Sequence, residues 1–232
     1  MKIILKDVYL ENLNYLKKNI SNSHHQDLLL QEPGINHYSL LSYLSKKINN
    51  SLIVELGTYA GTSALALSVN PTNVVETYDI SGEPYAIINT PKNIIRNIGN
   101  IFNLNDEKKL LEAKLIFLDT AHNGDFENQV LKYLNENSYK GIVLIDDIYW
   151  NGKMYYFWSA IKNRKIDLTF IAHGDGDGPN GNISGTGIVD FNSNLEIDDS
   201  GVKKRLNTQI KIFYLKLKYF LKSIFIKNKF KD

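Results

Sequence analysis

The chain predicts an α/β protein in which a mostly parallel sheet is covered by helices on both faces. Three observations predict it. Short, nearly unbroken apolar runs recur at 51–56, 74–79, 94–98, 114–119 and 141–147, the pattern of strands buried on both faces. Segments with helical spacing separate them, the alternation expected of βαβ units. The first run, Ser51-Leu-Ile-Val-Glu55-Leu, turns at Gly57 directly into the small-residue stretch Thr62-Ser-Ala-Leu-Ala-Leu-Ser68. That strand, glycine turn and helix point backbone N–H groups and a helix N-terminus at the strand's carboxyl end, where a polar ligand binds.

Composition sets the bounds. A chain of 232 residues, 43% hydrophobic and 22% charged, has the make-up of one globular domain with a sizeable core. No apolar run reaches the ~20 residues of a membrane-spanning helix, and Met-Lys-Ile-Ile-Leu-Lys-Asp is too short an apolar start for a signal peptide. With no cysteine there is no disulfide framework and no thiolate metal site, so a cytoplasmic location is expected. The net charge of +2 is unevenly spread: residues 203–232 hold ten Lys or Arg against one acid, Asp232, leaving 17 basic and 24 acidic residues in the rest. An acidic body argues against nucleic acid as a partner.

In chain order, 7–19 and 24–31 read as short helices, and Gln31-Glu-Pro-Gly34 breaks the pattern. His37 then opens a helix through about Lys47 with Leu40, Leu41 and Leu44 on one face; the histidine is either a half-exposed residue near a helix start or a cover over the pocket at the Glu55 turn. Pro71-Thr-Asn turns into the strand Val74–Asp79. Asp79 falls about 20 residues past the glycine turn, the place of an acid that accepts hydrogen bonds from ribose hydroxyls. Ile94–Ile98 is a weaker strand ending at Gly99-Asn100. Helices follow at 106–112 and 126–137, and the latter turns Val130, Leu131 and Leu134 inward. Residues 154–162 form an aromatic helix, and Trp150 before it is placed to wall a substrate pocket. Asp167–His173 and Gly187–Phe191 read as a closing strand pair around the loop Gly174-Asp-Gly-Asp-Gly-Pro-Asn-Gly181. Asp175 and Asp177 in that loop lack the spacing and final Glu of a calcium loop.

Three carboxylates end two buried strands: Asp119 on one, Asp146 and Asp147 on the other. Ligands of open α/β sheets bind beyond the strands' carboxyl ends. If the two strands are neighbours the acids converge, and a cation must offset their repulsion. An all-oxygen set suits Mg²⁺ or another divalent ion. His122, three residues past Asp119, has the pKa of a base that takes a proton from a substrate hydroxyl near neutral pH.

The string Glu55-Leu-Gly57-Thr-Tyr59-Ala-Gly61-Thr-Ser63, the set Asp119-Thr-Ala-His122-x-Gly124, the run Gly141-Ile-Val-Leu-Ile-Asp-Asp-Ile-Tyr-Trp150 and the segment Ser184-Gly-Thr-Gly-Ile-Val-Asp-Phe191 together resemble the catechol-type O-methyltransferases, a group of class I S-adenosylmethionine (SAM) methyltransferases that includes bacterial metal-dependent sugar O-methyltransferases. The resemblance spans about 37–191. It implies a Rossmann-like, doubly wound sheet of seven strands, mostly parallel with an antiparallel final strand. It further implies SAM contacts at Glu55, Gly57, Tyr59, Gly61, Ser63 and Asp79. It places Asn100 beside the adenine, where the side chain either bonds the base or caps a turn. It implies Mg²⁺ ligands at Asp119, Asp146 and Asp147, and transfer of a methyl group to a hydroxyl of a small molecule or sugar, such as a surface glycan or its lipid-linked precursor. The family pattern carries Lys where this chain has His122, which puts the identity of the base in question.

Two other classes compete. An NAD-dependent sugar oxidoreductase needs G-x-G-x-x-G, and the spacing here is Glu-x-Gly-x-x-x-Gly. A non-catalytic SAM-binding or membrane-associated protein is opposed by the intact acids and His122. The expected layout is N-terminal helices over the cofactor site (1–50), a methyltransferase domain (51–200) and a basic amphipathic helix (201–232). In that helix Ile210, Phe213, Tyr214, Leu217, Phe220, Leu221 and Ile224 recur at helical spacing, while Lys211, Lys218, Lys222 and Lys229 take another face. Such a helix either packs on its own domain or a homodimer mate, or lies peripherally on the inner face of a membrane.

Overall fold

The computed structural model describes residues 1–32, 34–81, 89–172, 183–202 and 206–229, with side chains of the last segment described to 222. Seven strands form the main sheet: β2 (Leu52–Leu56), β3 (Val74–Asp79), β4 (Ile94–Ile98), β5 (Leu115–Leu118), β6 (Ile142–Asp146), β7 (Arg164–Asp167) and β8 (Thr186–Asp190). Their order is β4-β3-β2-β5-β6-β8-β7. β8 alone runs against its neighbours β6 and β7, and the remaining pairs in this sheet are parallel. This is the expected α/β architecture, mostly parallel with its last strand reversed.

The order reverses between β2 and β5. The chain leaves β2 toward β3 and β4, then returns to place β5 on the other side. A crevice opens at such a switch point beyond the carboxyl ends of the two strands, and Gly57 and Asp119 stand there.

Side chains along the central strands alternate between two cores, as the two-residue period requires. Val54, Leu56, Ile116, Leu118, Val143 and Ile145 face one side. There they meet α6 (Asp125–Glu136) through Val130 and Leu134, and α7 (Gly152–Ala160) through Met154 and Trp158. Ile53, Leu115, Phe117, Ile142 and Leu144 face the other, against α3 (Gly34–Lys46) and α4 (Thr62–Leu67). Gly187 on β8 is forced by Trp158, since a Cβ there would lie 2.4 Å from the indole Cη2.

Three features differ from the sequence expectations. The N-terminus begins with a strand, β1 (Lys2–Ile4), followed by α1 (Leu5–Val8), a 3-10 helix (Asn14–Asn19) and α2 (Ser23–Leu30). β1 pairs in parallel with β9 (Glu196–Asp198) in a separate two-stranded sheet. Three residues carry too little periodicity to reveal a strand whose partner is far along the chain. The strand expected over 167–173 ends at Asp167, where the Asp167 carboxylate accepts from Thr169 N–H (3.1 Å) and a short helix, α8 (Thr169–Ala172), begins. Apolar content alone does not distinguish a buried strand from a buried helical turn. The Asp175 and Asp177 loop lies outside the described residues. The C-terminal helix is present as α9 (Leu206–Lys229).

Candidate functional site

The floor of the site is the turn after β2. Gly57 has φ +88°, and a Cβ there would sit 1.7 Å from the carbonyl oxygen of Asp119. Glycine therefore lets the ends of β2 and β5 touch. Tyr59 (φ +44°) and Gly61 (φ +80°) continue the left-handed turn into α4. The turn is pinned from the neighbouring strand: Asp79 Oδ2 accepts from Thr58 N–H and Tyr59 N–H, both at 2.8 Å, and its Oδ1 accepts from Ser81 N–H at 2.9 Å. Each carboxylate oxygen has two lone-pair sites, so Oδ1 retains capacity for a ligand hydroxyl.

A cavity of about 600 Å³ opens above this turn. Gly57, Tyr59, Asp79 and Asn100 line it, and so do Asp119 and His122. Tyr78, Ile101 and Phe126 supply ring and aliphatic surface along its length. Asn100 also caps its own turn, its Oδ1 accepting from Phe102 N–H at 2.9 Å. Glu55, Gly61 and Ser63 are not among the lining residues. Glu55 is fully buried beneath the turn, held by Thr77 Oγ1 at 2.5 Å, and one of its oxygens, Oε1, has no hydrogen-bond partner. Burial pushes its carboxyl up to about 7, opposed by hydrogen bonds from Ser63 and Thr77.

β5 and β6 are neighbours, and of the three acids expected to converge, Asp119 and Asp147 come together with His122, while Asp146 is not in the cluster. His122 Nε2 lies 3.3 Å from Asp119 Oδ1 and 3.3 Å from Asp147 Oδ2. Asp119, His122 and Asp147 each offer one ligand atom, all within 4.8 Å of one another. Asp146 borders the cluster and is held from outside it: its Oδ1 accepts from Thr186 Oγ1 on β8 at 2.7 Å and lies 3.8 Å from His37 Nδ1. Adjacent residues leaving a strand face opposite ways, so the pair splits between the cluster and the reversed strand. His37 thus stands beside Asp146 with its ring against Phe117 (centroids 5.6 Å apart), and it is not among the residues lining the cavity.

The electrostatics follow from the crowding. Burial, then the charges of Asp146 and Asp147, hold the Asp119 carboxyl well above the usual carboxylate range. Burial and then Asp146 push Asp147 up to about 7, against a hydrogen bond from Ser184. Burial lowers the His122 pKa, with Asp146 and Glu127 opposing. The imidazole is therefore neutral at pH 7 and keeps a lone pair.

His122 (φ +50°) and Asp147 (φ +58°) both adopt left-handed backbone, which costs free energy and persists only where the surroundings fix it. Glu127 fixes the first. Only 1% exposed, it accepts from Thr120 Oγ1 (2.8 Å), His122 N–H (3.1 Å) and Gly124 N–H (2.9 Å). Asn151 Nδ2 donates to the His122 carbonyl at 2.7 Å, while its Oδ1 caps α7 at Met154 N–H. Trp150, 45% exposed, places its ring 6.2 Å from that of His122, and it is not among the residues lining the cavity. Sequence reasoning missed Glu127, Asn151 and Thr186. The available signal for Glu127 was an acid three residues after Gly124 at a helix start, a capping position; Thr186 stands in the segment Ser184–Phe191 that carries the resemblance, but nothing in that pattern gave it a role.

No protein-family model matches the chain, and no curated protein matches it. Solved structures do. The O-methyltransferase TomG of Streptomyces achromogenes, in complex with SAM, is 15% identical, covering 80% of this chain and 95% of its own, with a TM-score of 0.48. The SAH-bound methyltransferase PaMTH1 of Podospora anserina is 16% identical, covering 79% and 87%, also with a TM-score of 0.48. Both fall below the similarity at which likeness implies a shared activity.

Proposed function

We propose that the protein is a SAM-dependent, divalent-cation-assisted O-methyltransferase acting on a hydroxyl of a small molecule or sugar. One observation carries this reading: a single cavity is lined by two sets of groups, the Gly57 turn with Asp79, and Asp119 with His122 of the cluster that Asp147 completes. A nucleoside fits the first set, where Gly57 leaves the backbone without a Cβ and Asp79 presents a carboxylate. A divalent cation fits the second. Two half-buried carboxylates of raised pKa beside a neutral imidazole are a donor set lacking a positive charge. SAM supplies an electrophilic methyl on a sulfonium when bound, and a divalent ion supplies positive charge beside the acceptor oxygen.

The residues of the chain do the rest. Asp79 receives ribose hydroxyls while bracing the turn. Tyr78, Ile101 and Phe126 keep water from the adenosine side. Asp119 and Asp147 would hold a cation, and Asp146, fixed by Thr186, would add charge beside them. His122 accepts the proton of the substrate hydroxyl at Nε2, and Trp150 walls the acceptor. The position of Nε2, equidistant from the two carboxylates, also favours a second reading in which His122 is the third cation ligand.

Incubation with radiolabelled SAM and a panel of sugar and catechol acceptors tests the proposal. Label should pass to a hydroxyl and transfer should stop in EDTA. Calorimetry that detects NAD binding and no SAM binding would overturn it. Transfer undiminished by excess EDTA would remove the cation.

A further inference from the structure

α9 settles against the domain by one side and shows an apolar side to solvent. At 3.6 residues per turn, Thr208, Ile212, Leu215 and Tyr219 share a face, and each is buried or half-buried. Tyr219 anchors it: its hydroxyl donates to the Tyr149 carbonyl (3.4 Å), and its own carbonyl accepts from Tyr156 Oη (3.3 Å). Lys216 pairs with Asp167 at 2.8 Å. The opposite face carries Ile210, Phe213, Tyr214, Leu217, Phe220 and Leu221, exposed by 42–67%. A contiguous stripe of this kind is rare on a surface with no partner.

The charges around the stripe identify what covers it. Lys211, Lys218 and Lys222 run along the flank between the exposed and docked faces and are themselves exposed. Residues 206–229 contain no Asp or Glu. A second copy of the chain would bring another acid-free helix against these lysines. An anionic lipid surface complements both features, taking the rings and leucines at the headgroup boundary while lysines reach up to phosphates. No helix among the described residues is long and apolar enough to cross a membrane, so the contact is peripheral.

We propose that the outward face of α9 binds an anionic membrane surface, seating the domain on the bilayer through Tyr219 and Lys216. The proposal does not depend on methyl transfer. The full chain should cosediment with phosphatidylglycerol-containing vesicles at low salt, ignore pure phosphatidylcholine, and be released at high salt. Phe213→Ser with Leu217→Ser should abolish binding without changing circular dichroism or the melting temperature. Lys218→Gln with Lys222→Gln should weaken it by roughly 25-fold, at about fivefold for each lysine. The chain has no cysteine, so Leu217→Cys carrying a polarity-sensitive dye offers a second measurement, with a blue shift expected on anionic vesicles alone. A chain that ignores anionic vesicles, a dye that does not shift, or a stable dimer that Phe213→Ser with Leu217→Ser splits into monomers would overturn the proposal.

Discussion

At the scale of single residues, the acidic cluster sets function against stability. Asp147 is half-buried, left-handed and crowded by Asp119 and Asp146. Asn is uncharged, nearly the same shape and well suited to positive φ. Asp147→Asn should therefore raise the stability of the metal-free protein at pH 8 by about 1–2 kcal/mol while abolishing cation-dependent transfer; urea melts and turnover measure the two effects. His122→Ala should lower turnover by roughly 10²–10⁴ if the imidazole is the base, with cation affinity unchanged by calorimetry. A parallel fall in cation affinity would mark His122 as a ligand instead. Asp79→Ala should weaken SAM binding by about 1.5–3 kcal/mol, and it should also loosen the turn, because Thr58 N–H and Tyr59 N–H lose their acceptor.

At the scale of elements, legibility followed periodicity. β2 through β6 and the helices between them could be read from apolar runs, and so could Gly57, Asp79 and the strand-end acids, because each sits at a boundary that the run itself defines. Which acid turns inward could not. Asp146 and Asp147 are equivalent in sequence, and the choice is made by Thr186 on β8, 40 residues away in the chain. Glu127 was hidden because it reads as an ordinary acid in the first turn of a helix. Its hydrogen bonds hold the whole β5–α6 connection, so Glu127→Gln should deprive all three N–H or O–H donors of a charged acceptor and set an NH2 group against at least one of them. The expected cost is about 1–3 kcal/mol, with kcat reduced and the KM for SAM little changed. Gly57→Ala should be harsher, since the backbone oxygen of Asp119 stands where the methyl group would go; a loss of about 2–4 kcal/mol by denaturant melts is expected.

At the scale of the whole molecule, buried carboxyls give the fold a pH dependence of definite sign. Asp147 and Glu55 titrate near 7 in the folded chain and at their ordinary 3.8 and 4.5 when unfolded. Between those limits the folded form binds more protons, so stability falls as pH rises through the window and the loss is complete above about pH 7. Asp167, held below its ordinary value with Lys216 and Thr169 as the lowering partners, acts oppositely but only at more acidic pH. In EDTA the melting temperature should therefore decline from about pH 5 to pH 8, and millimolar Mg²⁺ or Mn²⁺ should flatten the slope by neutralising Asp147. A flat profile in EDTA would contradict the burial of these groups. The pairing of β1 with β9 acts at the same scale. Lys2 stands opposite Glu196, and the N-terminal ammonium donates to the Asn194 carbonyl 193 residues away. During synthesis β1 emerges before the seven strands of the main sheet and waits, unpaired, until β9 follows them. Closing that span can only be a late event in folding. Until then Ile3 and Leu5, both fully buried in the finished protein, are open to capture by a chaperone or a wrong edge.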